Sequence, residues 1–130
     1  MRALIVDDEE MNRDLLVFFL EGRASTEEAA SGEEAISLVE EALRTDSYFD
    51  LICMDIGLPG ISGLQALKTI REKENAAVGI RPATVFMVTA SSSPDDMFDA
   101  LLQGGCDNYL TKPLMKRDFL ELLEKCGFTS

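Results

Sequence analysis

The chain has 130 residues, 46% of them hydrophobic and 28% charged, with only nine Gly and four Pro. That composition supports one globular domain and excludes disordered, collagen-like and repetitive classes. Twenty-four acidic residues against twelve basic ones give a formal charge of -12, which opposes contact with a phosphate backbone or anionic lipid, so no direct nucleic-acid binding is expected. Histidine is absent, and with it go the commonest general base, the His-containing triads and most transition-metal sites.

Cys53, Cys106 and Cys126 are widely and irregularly spaced, with no Cys-x-x-Cys pair, and read as reduced thiols of a cytoplasmic protein. The first apolar run passes straight into acids, without the long apolar stretch or cleavage site of a secretory leader. No later segment reaches membrane-spanning length, so no membrane insertion is expected.

In chain order, residues 3–6 form a short apolar run that reads as a buried strand. Residues 15–20, Leu15 to Leu20, follow on a presumed helix as six apolar residues in a row, more than one helix face can bury against a sheet. Two readings stand side by side there: a tightly packed helix with a stray exposed side chain, or a surface for a partner. Residues 24–30 are placed as an edge strand only because the alternation of elements requires one. Residues 32–43 read as a helix with Ala35, Leu38, Val39 and Ala42 on one face.

Residues 51–54 are the next apolar strand. A helix opens at Ser62, with Gln65 three residues on as a capping box and Leu64, Leu67 and Ile70 on its inner side. The longest irregular stretch is expected over residues 75–83, which contain Gly79 and Pro82. A strand follows at 84–88, then a helix with Ser93 as N-cap, Pro94 at its first position, Asp95 and Asp96 in its first turn, and Gly104 and Gly105 at its end. Residues 108–110 give a weaker strand. The last helix carries Phe119, Leu122, Leu123 and Cys126 at i, i+3, i+4 and i+7. Five rounds of strand and helix imply an α/β doubly wound sheet.

Asp7 and Asp8 follow the first apolar run, Asp55 the third strand, Thr89 the fourth, and Lys112 comes shortly after the fifth. In an open parallel sheet, ligands bind outside the carboxyl ends of the strands, so these side chains are expected to converge. Neighbouring carboxylates oppose each other's ionisation, and a cation resolves the conflict. The formal charges of three carboxylates, one divalent ion and the Lys112 ammonium sum to zero. Oxygen donors without histidine favour a hard ion, Mg2+, with Mn2+ as a substitute and zinc disfavoured.

In their order and spacing, Val6-Asp7-Asp8-Glu9, Met54-Asp55-Ile56-Gly57-Leu58-Pro59-Gly60 leading to Gly63, Val88-Thr89-Ala90 and Thr111-Lys112-Pro113 are distinctive. The chain resembles a response-regulator receiver domain, the phospho-accepting module of two-component signalling, of the single-domain chemotaxis-regulator kind. The likeness covers residues 1–127 and leaves 128–130 as a tail. It implies a flavodoxin-like five-stranded parallel sheet in order 2-1-3-4-5 with five helices on its two faces.

Carried over position by position, the resemblance implies that Asp55 accepts the phosphoryl group. Mg2+ would be held by Asp7, Asp8, Asp55 and the main-chain carbonyl of Gly57, with Asp8 the preferred direct ligand of the acidic pair. Lys112 would pair with a phosphoryl oxygen, and the Lys112–Pro113 bond would be cis. The Thr89 hydroxyl would bind the attached group and draw its loop inward, with Tyr109 turning to follow. Gly57 and Ser91 occupy places that influence phosphoryl lifetime in related domains. The donor would be a sensor histidine kinase or a histidine phosphotransfer protein, and the protein would catalyse only its own modification. The chain stops almost where the last helix does, so output is expected through an unidentified downstream protein, with a phosphorylation-dependent dimer left open.

Plainer readings exist for each part. Glu9 and Glu10 suit the first turn of a helix, Asp-Gly-Pro clusters suit any strand exit, and Asp95, Asp96, Asp99, Lys116 and Arg117 suit a solvated surface as well as an output face. Two rivals also stand. A haloacid-dehalogenase-like phosphatase would use an Asp nucleophile and Mg2+, but needs a second acid where this chain has Gly57. A pseudo-receiver would bind partners without being phosphorylated, and would not need Asp7, Asp8, Asp55, Thr89 and Lys112 together.

Overall fold

The computed structural model describes residues 1–90 and 105–128. Five strands, β1 (Arg2–Val6), β2 (Ser25–Ala29), β3 (Leu51–Asp55), β4 (Thr84–Thr89) and β5 (Asn108–Thr111), form one sheet in order β2-β1-β3-β4-β5. Every neighbouring pair is parallel. The described helices are α1 (Glu10–Leu20), α2 (Gly32–Arg44), α3 (Gly63–Ala76) and α4 (Lys116–Lys125). This is the α/β doubly wound, flavodoxin-like fold. Ser91 and the helix expected from Ser93, with Pro94, Asp95, Asp96, Asp99 and Gly104, lie outside the described residues.

The strands lack polar alternation because the sheet is covered on both sides. Leu4, Val6, Ile52, Met54, Val85 and Met87 point to one face, against Ala35, Val39, Leu67 and Ile70 of α2 and α3. Ala3, Ile5, Leu51, Cys53 and Phe86 point to the other, against Leu16, Phe19 and Leu20 of α1 and Phe119 and Leu123 of α4. Successive strand residues thus feed opposite cores. Each fully buried Leu, Ile or Phe contributes about 2 kcal/mol of apolar transfer. Phe119 also meets Phe86 edge-on, with ring centroids 6.1 Å apart, and Phe19 at 5.8 Å.

β2 is polar because it is the sheet edge: Arg2 pairs with Glu27 and Arg13 with Glu28, so its acids meet cations at the rim. Two helix starts follow their sequence signals. Ser31 accepts the Glu34 N–H, and Ser62 and Gln65 form a complete capping box. One expectation needs correcting. The irregular stretch placed at 75–83 begins only at residue 77, because α3 runs on to Ala76. Its last turn is held by Glu74, whose buried carboxylate accepts the Ala83 N–H at 3.0 Å, the Tyr48 hydroxyl and Arg71 Nη1 at 2.7 Å.

In α1 the six-residue apolar run splits as a helix must split it. Leu16, Phe19 and Leu20 are buried, while Leu15 and Phe18 are exposed, as is Met11 one turn earlier.

Candidate functional site

The carboxyl ends of β1, β3 and β4 and the segment after β5 meet at one edge of the sheet. Asp7 stands one residue beyond β1 and still continues its pairing, donating its N–H to the Ala29 carbonyl at 3.1 Å. Its carboxylate is buried: Oδ1 accepts the Glu9 N–H at 2.9 Å and Oδ2 accepts Lys112 Nζ at 3.0 Å. Asp7 thus satisfies the Glu9 N–H at the start of α1, where the Glu9 side chain itself makes no cap.

Asp55 ends β3 and is 7% exposed. Its Oδ2 lies 3.2 Å from Lys112 Nζ, and its Oδ1 accepts the Gly57 N–H at 3.2 Å. The turn beyond it is tight: Ile56 N–H reaches the Val88 carbonyl, and the Ile56 carbonyl accepts both Leu58 and Gly63 N–H groups. Asp8 is exposed and offers its carboxylate from the solvent side. Asp7, Asp8 and Asp55 each present one oxygen, all within 4.8 Å of one another.

Burial first, then the charge of Asp7, pushes the Asp55 carboxyl above its usual range, against the opposing pull of Lys112 and the Gly57 N–H. Burial alone would lower Lys112, but its hydrogen bond to Asp7 and the charges of Asp55 and Asp7 outweigh that and raise it. One ammonium thus bridges two buried carboxylates, and the third stands free of it. An all-oxygen cluster with an open, exposed member suits a hard divalent ion that keeps some of its water.

Thr89 is buried at the end of β4, and its carbonyl accepts the Lys112 N–H at 2.7 Å. Tyr109 lies in β5, half-buried against the α2–α3 core. The Lys112–Pro113 peptide is cis. Among the described residues, a β-carbon at Gly57 would find only Asp55 Oδ1, at 4.0 Å. A cavity of about 330 Å³ beside the acids is lined by Asp7, Asn12, Leu15, Leu16, Lys112 and Leu114, among others.

Three residues that motif and periodicity leave unmarked, together with Glu74, hold the surroundings in place. Arg13 donates Nη1 to the Asp7 carbonyl at 2.7 Å and Nε to Glu28 at 3.1 Å. Arg71 binds Glu74, Asp107 and the carbonyls of Ala83 and Gly105, tying α3 to the segment before β5. Burial, then the bond to Glu74, pushes the Tyr48 hydroxyl far above its usual value, so it remains a donor. Glu74 carries a signal in the sequence: it falls four residues after Ile70, on the inner face of α3, where a lone carboxylate demands partners.

The model of the response regulator receiver domain family matches residues 3–124. The polar-differentiation response regulator DivK of Brucella ovis is 34% identical over 123 residues, 94% of this chain and 92% of its own. Among solved structures, the receiver domain of Ssk1 from Saccharomyces cerevisiae, crystallised with the histidine phosphotransfer protein Ypd1, superposes with a TM-score of 0.83 at 33% identity, over 98% of this chain and 88% of that one. A CheY-like receiver domain protein from Methanospirillum hungatei gives 0.78 at 28% identity, covering 96% of this chain and 91% of that one. A family model spanning nearly the whole chain, joined by a relative of matching length, is decisive: this chain belongs to the response regulator receiver domains of two-component signalling.

Proposed function

We propose that this receiver domain takes a phosphoryl group onto Asp55 and uses it to switch a partner-binding surface. The observation that carries this reading is the placing of Lys112 Nζ within hydrogen-bond reach of Asp7 and Asp55 while Asp8 leaves a third carboxylate oxygen close by. Asp7, Asp8 and Asp55, with the Gly57 carbonyl, would hold Mg2+, or Mn2+ in its place. When bound, the ion supplies positive charge against the phosphoryl oxygens.

Asp55 then acts as nucleophile: one carboxylate oxygen bonds to phosphorus, the donor's bond to phosphorus breaks, and the donor keeps that electron pair. The product is an acyl phosphate, a mixed anhydride that water cleaves. Lys112 turns its ammonium to a phosphoryl oxygen and offsets the charge gathered there. The buried Thr89 hydroxyl donates a hydrogen bond to another such oxygen, and the inward pull on the end of β4 is passed to Tyr109 on the neighbouring strand. Gly57 leaves space beside Asp55, so decay is limited by chemistry rather than by shielding. It also leaves no second acid for a phosphatase of the haloacid-dehalogenase kind.

The phosphodonor is a histidine kinase or phosphotransfer protein, in keeping with the partner named for the Ssk1 receiver. Exposed Met11, Leu15 and Phe18 of α1, next to the Asp7 cavity, give it an apolar landing surface. Among the described residues no helix is long and apolar enough to cross a membrane. Receiver domains are signalling switches, and here the reaction is self-modification.

The test is a fluoroberyllate and Mg2+ titration followed by NMR. Shifts at Asp55, Thr89 and Tyr109 in the wild type, absent in Asp55→Asn, are expected; identical responses in both proteins refute the reading.

A further inference from the structure

We propose that Arg13 is a positioning residue for the divalent-cation cluster, acting through Asp8, which it never touches. This rests on the reading of Asp7, Asp8 and Asp55 as the Mg2+ site. Among the described residues no hydrogen bond or ion pair holds the exposed Asp8 carboxylate. Asp8 is aimed only by its own main chain. That main chain is fixed on its amino side, because Asp7 has every polar group engaged: N–H to Ala29, Oδ1 to Glu9, Oδ2 to Lys112 and the carbonyl to Arg13.

The carbonyl bond helps set the plane of the Asp7–Asp8 peptide, and among the described residues only Arg13 makes it. The guanidinium is itself anchored, with Nε on Glu28 of β2, and its side chain is 17% exposed. A planar fork can span two acceptors in this way; a lysine ammonium at the same place reaches one at a time. The edge strand, otherwise remote from the chemistry, thus acquires a part in aiming the Asp8 carboxylate.

Charge alone predicts the opposite. Arg13 is a cation near three carboxylates, so removing it should draw a divalent ion in more strongly. Loss of a group that orients a metal ligand through another residue weakens metal binding instead, by about tenfold or more. The two accounts differ in sign.

The experiment titrates Mg2+ into the full chain, followed by NMR, for wild type, Arg13→Met, Arg13→Lys, Asp8→Asn and the Arg13→Met/Asp8→Asn double variant, with thermal melts of each metal-free protein. Arg13→Met is expected to bind Mg2+ about tenfold more weakly, and Arg13→Lys to fall between it and wild type. On the Asp8→Asn background Arg13→Met should cost no further affinity, since the residue it aims has lost its ligating charge. Equal or tighter binding by Arg13→Met overturns the proposal and leaves the metal reading intact. So does a full loss that persists on the Asp8→Asn background, which marks Arg13 as general scaffolding. If Arg13→Met does not fold, Arg13→Lys decides, and wild-type affinity there overturns the proposal. Failure of the wild type to bind Mg2+ overturns the metal reading and this inference with it.

Discussion

A β-carbon placed on Gly63 would stand 2.1 Å from the main-chain carbonyl oxygen of Asp55. Helix α3 therefore starts in direct contact with the backbone of the residue read as phosphoryl acceptor, at a distance no side chain permits. Because the clash is with backbone, a rotamer change cannot relieve it. Gly63→Ala should destabilise the protein by about 2 kcal/mol and slow its modification by acetyl phosphate more than Gly57→Ala does, where the nearest atom is 4.0 Å away. Urea unfolding and intact-mass time courses check both.

Lys112 is the bridge between two carboxylates that are 3% and 8% exposed as side chains, and is itself 20% exposed. Removing one partner of such a group leaves like charges facing one another in a shielded place. Lys112→Met should cost about 2 kcal/mol in metal-free protein, on the low side for a buried pair because the ammonium is partly solvated. Added Mg2+ should restore part of that loss by binding only the folded form. Melting curves with and without the ion measure it.

Asp55 holds its proton more tightly in the folded protein than its usual value of 3.8 allows. Above that value the folded form carries more protons than the unfolded chain, so raising pH through the window lowers stability until Asp55 is fully ionised. Ionised Asp55 thus opposes folding at neutral pH when no metal is bound. Asp55→Asn should melt at a higher temperature than wild type, with a gap that widens from the usual carboxylate range towards neutrality and then levels off. A constant gap across that range contradicts the assignment.

Glu74 is 3% exposed and satisfies the Ala83 N–H, the Tyr48 hydroxyl and Arg71 at once. Glu74→Ala takes the acceptor from the Ala83 N–H and the Tyr48 hydroxyl, while Arg71 keeps Asp107 and the Ala83 and Gly105 carbonyls, and should destabilise by about 3 kcal/mol. Glu74→Gln retains an acceptor and a similar shape and should cost less. Chemical denaturation of the two variants separates them.

The fold was legible because its strongest signals repeat. Unalternating apolar runs at β1, β3 and β4 announce a sheet covered on both sides, and the Ser62–Gln65 box marks the start of α3 to the residue. β2 was readable only by the logic of alternation, since Ser25, Thr26, Glu27 and Glu28 look nothing like a buried strand and owe their place to pairing with β1. The end of α3 was misjudged because Asn75 lies in a polar tail whose helical geometry depends on Glu74 and partners far along the chain. At the site, motif order pointed to Asp7, Asp8, Asp55, Thr89 and Lys112, and the structure brings Lys112 and the three acids together. Arg13, Arg71 and Tyr48 were invisible, because nothing in a lone arginine or tyrosine reveals which carbonyl or carboxylate it will meet in three dimensions.

The central claim is that Asp55 captures a phosphoryl group with the help of a divalent ion. Intact-mass spectrometry after incubation with Mg2+ and acetyl phosphate tests it most directly. A mass gain of one phosphoryl group in the wild type, lost on chelation of the metal and in Asp55→Asn, is the predicted result. An unmodified wild type, or equal modification of Asp55→Asn, would contradict it.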